Sequence, residues 1–279
     1  MRSKVVFGRM LRNRQARYGI IAFLALVLLA YVGPFVGPYD WTDKDFLSFL
    51  VPPGGDHWWG TTTIGQDMYA LTLRGMQKSI VIGVLTALIA TTLAAIVGAF
   101  AGYFGGWIDK ALMWGVDLLL VLPSFLVIAI ISPRLKESSW LWFVVLLAVF
   151  TWMITSRVVR SMTLSLRERE YVQAAVYMGI PRWKIILKHI VPNLSSLLII
   201  DYTLNVSGAV IGEAALSFFG FGIQPPEVSL GTLIAEGARN ATGYPWLFAF
   251  PAGLLVLLVL SINLIGDGLR DALDPGSNS

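Results

Sequence analysis

Long apolar stretches recur along the chain at a length that suits a lipid bilayer. The hydrocarbon core of a bilayer is crossed by about 20 residues of α-helix. Six stretches come close to that length: Tyr18–Pro34, Ser79–Tyr103, Ala111–Ser132, Trp140–Val159, Ser195–Leu216 and Trp246–Ile265. The pattern therefore predicts an all-α, polytopic transmembrane helical bundle with six spans.

Polar residues interrupt some of these stretches. The third contains Asp117 and Pro123, the fifth contains Asp201 and Asn205, and Glu213 lies near the end of the fifth. Ionisable groups in a bilayer usually face a bundle interior or a cavity. The three acids either belong to a substrate or proton path or pair near a helix end. For Asp117 and Asp201 we favour pairing with a cytoplasmic arginine.

The composition agrees with a lipid environment. Of the 279 residues, 56% are hydrophobic and 14% are charged, against about 25% charged in soluble domains. The mean hydropathy is +0.70. The chain has no cysteine and two histidines, His57 and His189, which are far apart. This excludes disulfide and thiolate chemistry and argues against a metal centre. We expect His57 at the surface of an outer loop and His189 as a polar interface residue.

The distribution of Lys and Arg predicts the orientation. With the N-terminus inside, fifteen of the 21 basic residues fall on cytoplasmic segments, in agreement with the positive-inside rule. We expect a cytoplasmic segment at 1–17, the first span with a long outer loop at 18–78, a core of five spans at 79–266 and a cytoplasmic tail at 267–279. The first span has no small-residue cleavage site, which argues against a cleaved signal peptide.

Small residues and long loops add detail to the bundle. Gly98, Gly102 and Gly106 repeat at every fourth position near the inner end of the second span, which favours close packing of another helix. Two outer loops, about 34–78 and 217–245, are longer than a connection needs. The second contains a short helical stretch with Ser229 as a suitable N-cap. Each loop either caps the bundle or forms a docking surface for an external partner.

The cytoplasmic loop between the fourth and fifth spans, about 161–193, has the pattern of a helix–turn–helix. Glu170 lies in the first turn of its first helix, where the helix dipole favours an acid. Gly179 suits the C′ position, and Pro181 follows it. Ala174 and Ala175 form a thin side that would let the helix enter a groove on another protein. A helix lying on lipid headgroups would explain the charges but not the alanines.

A second short helix follows the turn. Its apolar residues recur at helical spacing and predict one apolar face: Trp183, Ile186, Leu187 and Ile190. We expect Pro192 to end this helix before the fifth span.

This loop resembles the EAA loop in the permease subunits of bacterial ABC importers. The resemblance rests on these positions: Glu170, Tyr171, Ala174, Ala175, Gly179, Pro181 and Pro192. Four other segments resemble the dipeptide, oligopeptide and nickel branch of that family and, within it, the C-type subunit: 60–67, 105–123, 213–226 and 266–275. Thr62, Gln66 and Trp114 differ from the residues usual in that branch.

The resemblance implies a type I ABC importer permease fold and a division of labour between chains. A homologous second permease would complete the pore. Two ATPase subunits would bind ATP and Mg and dock on the cytoplasmic loops, and an extracytoplasmic solute-binding protein would deliver the cargo. The expected location is the plasma membrane of a bacterium or archaeon, with both termini cytoplasmic.

The chain itself offers no ATPase chemistry. It has no Gly-x-x-x-x-Gly-Lys-Ser/Thr phosphate loop, and its largest cytoplasmic loop is far too short for a nucleotide-binding domain. We therefore expect a transport subunit and not an enzyme, with lipid and protein partners, no cofactor of its own and no nucleic acid.

The cargo is implied only as a class, namely dipeptides or oligopeptides, with nickel chelates as the alternative within the branch. A rival from another class is an ion-coupled secondary transporter, which would need ionisable sites near the midplane and usually an internal repeat. An intramembrane protease would need a Ser/His or paired-Asp constellation within the spans, and both histidines lie outside them.

Overall fold

The computed structural model describes residue 8 and residues 10–135 and 139–273, and every regular element in these residues is helical. The expectations for Arg2, Lys4, Arg9, Lys136 and the tail beyond residue 273 lie outside the described residues. The α-helices are α1 Arg14–Val32, α2 Met68–Phe104, α3 Gly106–Val121, α4 Ser124–Ile131, α5 Leu141–Thr151, α6 Met153–Arg167, α7 Glu170–Tyr177, α8 Arg182–Ile185, α9 Ser195–Phe218, α10 Leu230–Asn240 and α11 Trp246–Leu273. Short 3₁₀ turns occupy Gly33–Phe35, Ser132–Leu135 and Val191–Leu194, and a π turn occupies Ile186–Ile190.

The helices fill all six predicted spans, but only four of the spans are continuous. The continuous ones are Arg14–Phe35, Met68–Phe104, Arg182–Phe218 and Trp246–Leu273. The other two are bent pairs: α3 meets the helix after it at 76°, and α5 meets α6 at 48°. Among the described residues the chain thus has four helices that could span a membrane, or six if each bent pair counts as one span.

The two breaks have different causes. Leu122 precedes Pro123 and is extended, with ψ of 127°, because a residue before proline is forced out of the helical region. At the second break no proline is present. There the Thr151 hydroxyl donates to the carbonyls of Leu147 and Ala148, at 3.3 and 3.2 Å, which bends a helix by competing with its backbone hydrogen bonds.

Helix α2 begins earlier than the apolar pattern predicted. The predicted second span started at Ser79, whereas the helix starts at Met68, after Asp67 caps it by accepting from the Ala70 amide at 2.9 Å. Its 37 residues extend roughly 55 Å, more than a bilayer core requires. Arg74 and Lys78 interrupt the apolar run, so the hydrophobic pattern did not reveal the first turns of this helix. This helix joins the two ends of the bundle, which we call the α10 end, near Met68, and the α7 end, near Phe104.

Close backbone contact between α2 and α6 organises the α7 end. A Cβ atom at Gly98 would collide with the Ser156 carbonyl, and one at Gly102 would meet Thr163 Cβ at 2.8 Å. The predicted packing role is therefore confirmed for these two glycines. It is wrong for Gly106, which has nothing within 4 Å of its Cβ position and a φ of 57°. Gly106 belongs to the sharp junction between α2 and α3, where α-helical spacing no longer applies.

The remaining helices pack around α2. A core of buried residues from α1, α2, α9 and α11 includes Leu26, Met76, Val210 and Leu258. Helices α1 and α11 meet through Gly19, whose Cβ position lies 2.7 Å from Leu264 Cβ. Since lipid tails give helices little hydrophobic reason to associate, such small-residue contacts are what hold the bundle together.

We expect Gly98→Ala to lower the free energy of unfolding by about 1–3 kcal/mol, because the added methyl group meets backbone that cannot rotate away. The matched control is Gly115→Ala in α3, where a Cβ has nothing within 4 Å. Thermal unfolding in detergent, followed by tryptophan fluorescence, measures both. Equal stability of the two variants would contradict the proposed α2–α6 contact.

Candidate functional site

The loop predicted as a helix–turn–helix is a compact structure at the α7 end. Helix α6 ends at Arg167, and α7 begins after a two-residue link. The Gln173 side-chain amide donates to the Arg167 carbonyl at 2.9 Å and so fastens the link. Glu170 occupies the first turn of α7, as predicted, where a negative charge is favourable.

The turn after α7 is a Schellman motif. Gly179 has a φ of 71°, its amide donates to the Val176 carbonyl at 3.0 Å, and the Ile180 amide donates to the Ala175 carbonyl at 3.2 Å. The prediction of Gly179 as the C′ residue is confirmed. Pro181 then precedes α8 as its N-cap residue, so backbone geometry at both Gly179 and Pro181 restricts the direction of the chain.

Helix α7 is seated against the chain's own core on one side only. Val172 and Ala175 are fully buried in a cluster that includes Tyr103 and Ile185. The prediction that both alanines face another protein is therefore wrong for Ala175. Only Ala174 lies at the surface. Residues three apart share a helix face, so the buried positions 172 and 175 place position 174 on the other side.

The exposed side of α7 is largely apolar. Tyr177 is 87% exposed and Met178 is 70% exposed. We call the surface formed by Glu170, Tyr171, Ala174, Tyr177 and Met178 the loop face. Exposed apolar residues on a rigidly held helix are typical of a protein-binding surface.

The second helix buries two of the four residues of the predicted apolar face, Ile186 and Ile190, and leaves the other two exposed. Ile185, Ile186 and Ile190 are fully buried, whereas Trp183 and Leu187 are 53% and 51% exposed. From Ile186 to Ile190 the chain forms a π turn, so the α-helical spacing used for the prediction does not apply there.

This helix also does not end at Pro192. Arg182–Phe218 is one continuous span, in which the π turn is followed directly by the 3₁₀ turn that contains Pro192. A proline lacks the amide that a regular α-helix would need at that position. The change of helix type accommodates it without a break, so the loop is joined directly to α9.

A buried polar cluster links three helices between the two ends. Asp201 of α9 accepts from the hydroxyls of Thr155 and Thr91, at 2.6 and 3.2 Å, and from the Asn205 amide at 2.8 Å. The expectation that Asp201 pairs with an arginine is wrong. Hydroxyl and amide groups of α2, α6 and α9 donate to its oxygens instead. The carboxylate thereby crosslinks these helices inside the bundle.

Asp117 does pair with an arginine, as favoured from the sequence. Its partner is Arg157 of α6. A second ion pair joins the same two helices: Arg160 Nε and Nη2 each lie 2.5 Å from an oxygen of Asp109. Helices α3 and α6 are thus connected by two arginine–carboxylate pairs.

The α10 end has its own buried network around His57. The ring is 4% exposed, its Nδ1 lies 2.9 Å from Asp67 Oδ2, and it stacks on Tyr39 with ring centroids 4.5 Å apart. The expectation of a surface histidine is wrong. Asp45 lies 3.9 Å from the other ring nitrogen, and hydrogen bonds from Ser48 and the Leu47 amide lower the pKa of its carboxyl. Asp45 is therefore ionised beside His57.

Glu213 connects α9 to α10. One of its oxygens accepts from the hydroxyls of Ser217 and Ser229, both at 2.6 Å, and the other has no hydrogen-bond partner among the described residues. Ser229 also caps α10 in a capping box with Thr232, which confirms the predicted N-cap. Glu213 is fully buried. Its role is to hold the start of α10 against the bundle.

A groove opens at the α10 end. It has a volume of about 570 Å³ and is bounded by the first outer loop, the 220–228 segment and α10. Its walls carry charges of both signs, including Lys44, Glu236 and Arg239. Beside it, Glu227 bonds Lys78 Nζ at 3.0 Å and lies 3.8 Å from Arg74. This ion cluster could not be predicted from the sequence, because Glu227 lies 149 residues along the chain from Lys78.

A helical bundle with broken spans, a rigid projecting loop at one end and a groove at the other has the features of a multi-pass membrane permease. The chain belongs to the family of binding-protein-dependent transport system inner membrane components, which matches residues 94–278. It is thus a transport permease subunit of an ABC importer, located in the inner membrane, and not an enzyme. The family also excludes the ion-coupled secondary transporter considered above.

Matches to a second family model and to individual relatives support this family assignment. Residues 3–53 match the N-terminal transmembrane domain of oligopeptide transport permease C. The chain is 58% identical over 279 residues to the oligopeptide transport system permease protein OppC of Mycobacterium tuberculosis, with 100% of this chain and 96% of that protein covered. It is 35% identical over 263 residues to OppC of Bacillus subtilis, with 94% and 86% covered.

We expect Asp67→Ala to destabilise the α10 end strongly. The helix loses its cap, which costs about 1 kcal/mol, and the buried His57 loses a hydrogen-bond partner, which costs about 1–3 kcal/mol. Asp67→Asn keeps an oxygen for the Ala70 amide and should lose less. Limited proteolysis of the outer loop measures the effect. The control is Asp56→Ala, at an exposed position of the same loop; equal cleavage of the Asp67→Ala and control proteins would contradict the network.

Proposed function

We propose that this chain is the C-type permease subunit of an ATP-driven importer of dipeptides or oligopeptides. It forms half of a pore with a homologous second permease. Two ATPase subunits hold ATP and Mg, and a solute-binding protein delivers the cargo on the outer side. The loop face contacts one ATPase subunit, and both termini lie in the cytoplasm.

The observation that carries this proposal is the one-sided packing of α7. The buried side, Val172 and Ala175, fixes the helix to the permease, while Tyr177 and Met178 are left uncovered. A helix that must transmit force between two proteins needs both properties, since it has to bind the partner and move with its own chain. The Schellman turn at Gly179 holds this geometry without a flexible linker.

The orientation follows from the same assignment. The ATPase subunits hydrolyse cytoplasmic ATP, so the α7 end faces the cytoplasm and the α10 end faces outward. Basic residues agree, because Arg157, Arg160, Arg167, Arg169 and Lys184 all lie near the α7 end. The groove at the α10 end then lies on the side from which a solute-binding protein approaches.

The peptide cargo is supported by the relatives. Those from Mycobacterium tuberculosis and Bacillus subtilis are both named as oligopeptide permeases. The similarity to the mycobacterial protein extends over the full length of this chain. The groove offers cationic and anionic side chains together, which is compatible with a zwitterionic solute such as a peptide.

The function is tested by reconstitution. We expect the tagged chain, extracted from its native host in mild detergent, to co-purify with a second permease and ATPase subunits. In proteoliposomes, ATP hydrolysis should rise several-fold with solute-binding protein and short peptides, and labelled peptide should enter only with ATP. Uptake of a nickel chelate in place of peptide, or uptake without ATP, would contradict the proposal.

We expect Tyr177→Asp and Met178→Asp to reduce the amount of co-purified ATPase subunit by about tenfold, because each places a charge in an apolar contact at a cost of about 1–3 kcal/mol. The permease itself should insert and fold normally, since both side chains are exposed. Ser165→Asp, at an exposed position near the end of α6, is the matched control. Undiminished ATPase binding by both loop-face variants would contradict the assignment of the loop face.

A further inference from the structure

Helix α3 is weakly packed and has a joint at each end. Over its described length Val116 is the one buried residue, whereas Trp107 is 77% exposed and Val121 is 81% exposed. At its start, Gly105 and Gly106 have φ values of 64° and 57°, and at its end the chain turns by 76°. Packing against the rest of this chain therefore does not fix the direction of α3.

Two ion pairs hold α3 in a defined direction relative to α6. Arg160 binds Asp109 with two parallel hydrogen bonds of 2.5 Å, the bidentate geometry that fixes orientation as well as distance. Asp109 is 13% exposed and Arg160 is 33% exposed, so water competes little for this pair. Asp117 and Arg157 form the second pair two turns further along α3, with about half of each side chain exposed.

The partner helix, α6, is well placed to pass on movement of the loop. It lies on Gly98 and Gly102 of α2 without room for a methyl group. It runs into α7 through a two-residue link, and its last residue, Arg167, donates to the Tyr103 carbonyl at 3.3 Å. A displacement of α7 therefore reaches α6 directly, and α6 holds α3 by its arginines.

We propose that the Asp109–Arg160 pair, supported by Asp117–Arg157, is a permanent clamp that makes α3 move together with α6 during transport. We assign these four residues a positioning role, in which they act through the direction of α3. The inference rests on the proposed function, because the loop face must first be moved by an ATPase subunit. The clamp stays closed throughout the cycle, and the joints at Gly105–Gly106 and at Pro123 absorb the motion.

Charge reversal tests the clamp in the reconstituted complex. Asp109→Arg and Arg160→Asp should each lower the peptide imported per ATP hydrolysed by about tenfold, within the usual range for coupling between sites. ATP hydrolysis should stay within about twofold. The double variant restores opposite charges and should recover most of the lost ratio. Lys110→Asp, on an exposed neighbour of Asp109, should behave as wild type. A double variant as poor as the single ones would overturn the proposal.

Chemical crosslinking separates a permanent clamp from a gate that opens. The chain has no cysteine of its own, so Asp109→Cys combined with Arg160→Cys can be bridged selectively by a short bifunctional thiol reagent. We expect poor coupling in the reduced protein and recovery after bridging, because the covalent link replaces the ion pair. A bridged protein that does not recover import would overturn the clamp, whereas a role in stability alone would change the melting temperature and not this ratio.

The Met178→Asp variant, measured in the same preparation, distinguishes a failure of the clamp from a failure of the proposed function. If it keeps its ATPase subunits and imports normally, the loop face is not the coupling surface and the proposed function fails with it. If it loses them while both charge reversals keep the wild-type ratio of import to hydrolysis, the clamp alone is wrong.

Discussion

Helices α2 and α6 are in direct contact at Gly98 and Gly102. The absence of a side chain at these two positions lets atoms of α6 lie against the backbone of α2. In lipid, such van der Waals contact replaces the hydrophobic driving force that a soluble bundle would have. The position of α6 decides where α7 lies, and α7 then leaves Tyr177 and Met178 uncovered. The exposure of the loop face thus depends on the packing of α6 on α2 as well as on the contacts of α7 itself. It is not a property of the loop sequence alone.

Local signals in the sequence were enough to locate the rigid points of the fold. Gly179 before proline, Ser229 before an apolar run and the glycine row of α2 act through backbone geometry over a few residues. What failed depended on distant partners. The burial of His57 requires Asp67 and Tyr39, and the orientation of Ala175 requires Tyr103. The π turn after Ile185 could not be recognised from the spacing of apolar residues either, because one extra residue in a turn does not produce a distinct sequence pattern.

The acids within the spans fall into two physical classes. Asp201 and Glu213 accept hydrogen bonds from hydroxyl and amide groups, which bring no second charge to be desolvated, and one oxygen of Glu213 has no partner among the described residues. Asp109 and Asp117 lie on the weakly packed α3 and bind arginines. Neutral hydrogen-bond partners suit an acid whose surroundings are already fixed by helix packing. A bidentate ion pair suits α3, because it fixes the orientation of a helix that packing within this chain leaves free to rotate.

The same helix shows why one chain is not a complete transporter. The Asp117–Arg157 pair is about half exposed, and the broken backbone at Pro123 lies beside it. Charged groups and non-helical backbone are tolerated at membrane depth only where protein covers them or water fills a cavity. This face of α3 is therefore suited to contact protein or water and not lipid tails. In the proposed complex this face would lie against the second permease or along the aqueous path between the two, and the clamp that orients α3 would also set the direction of that surface.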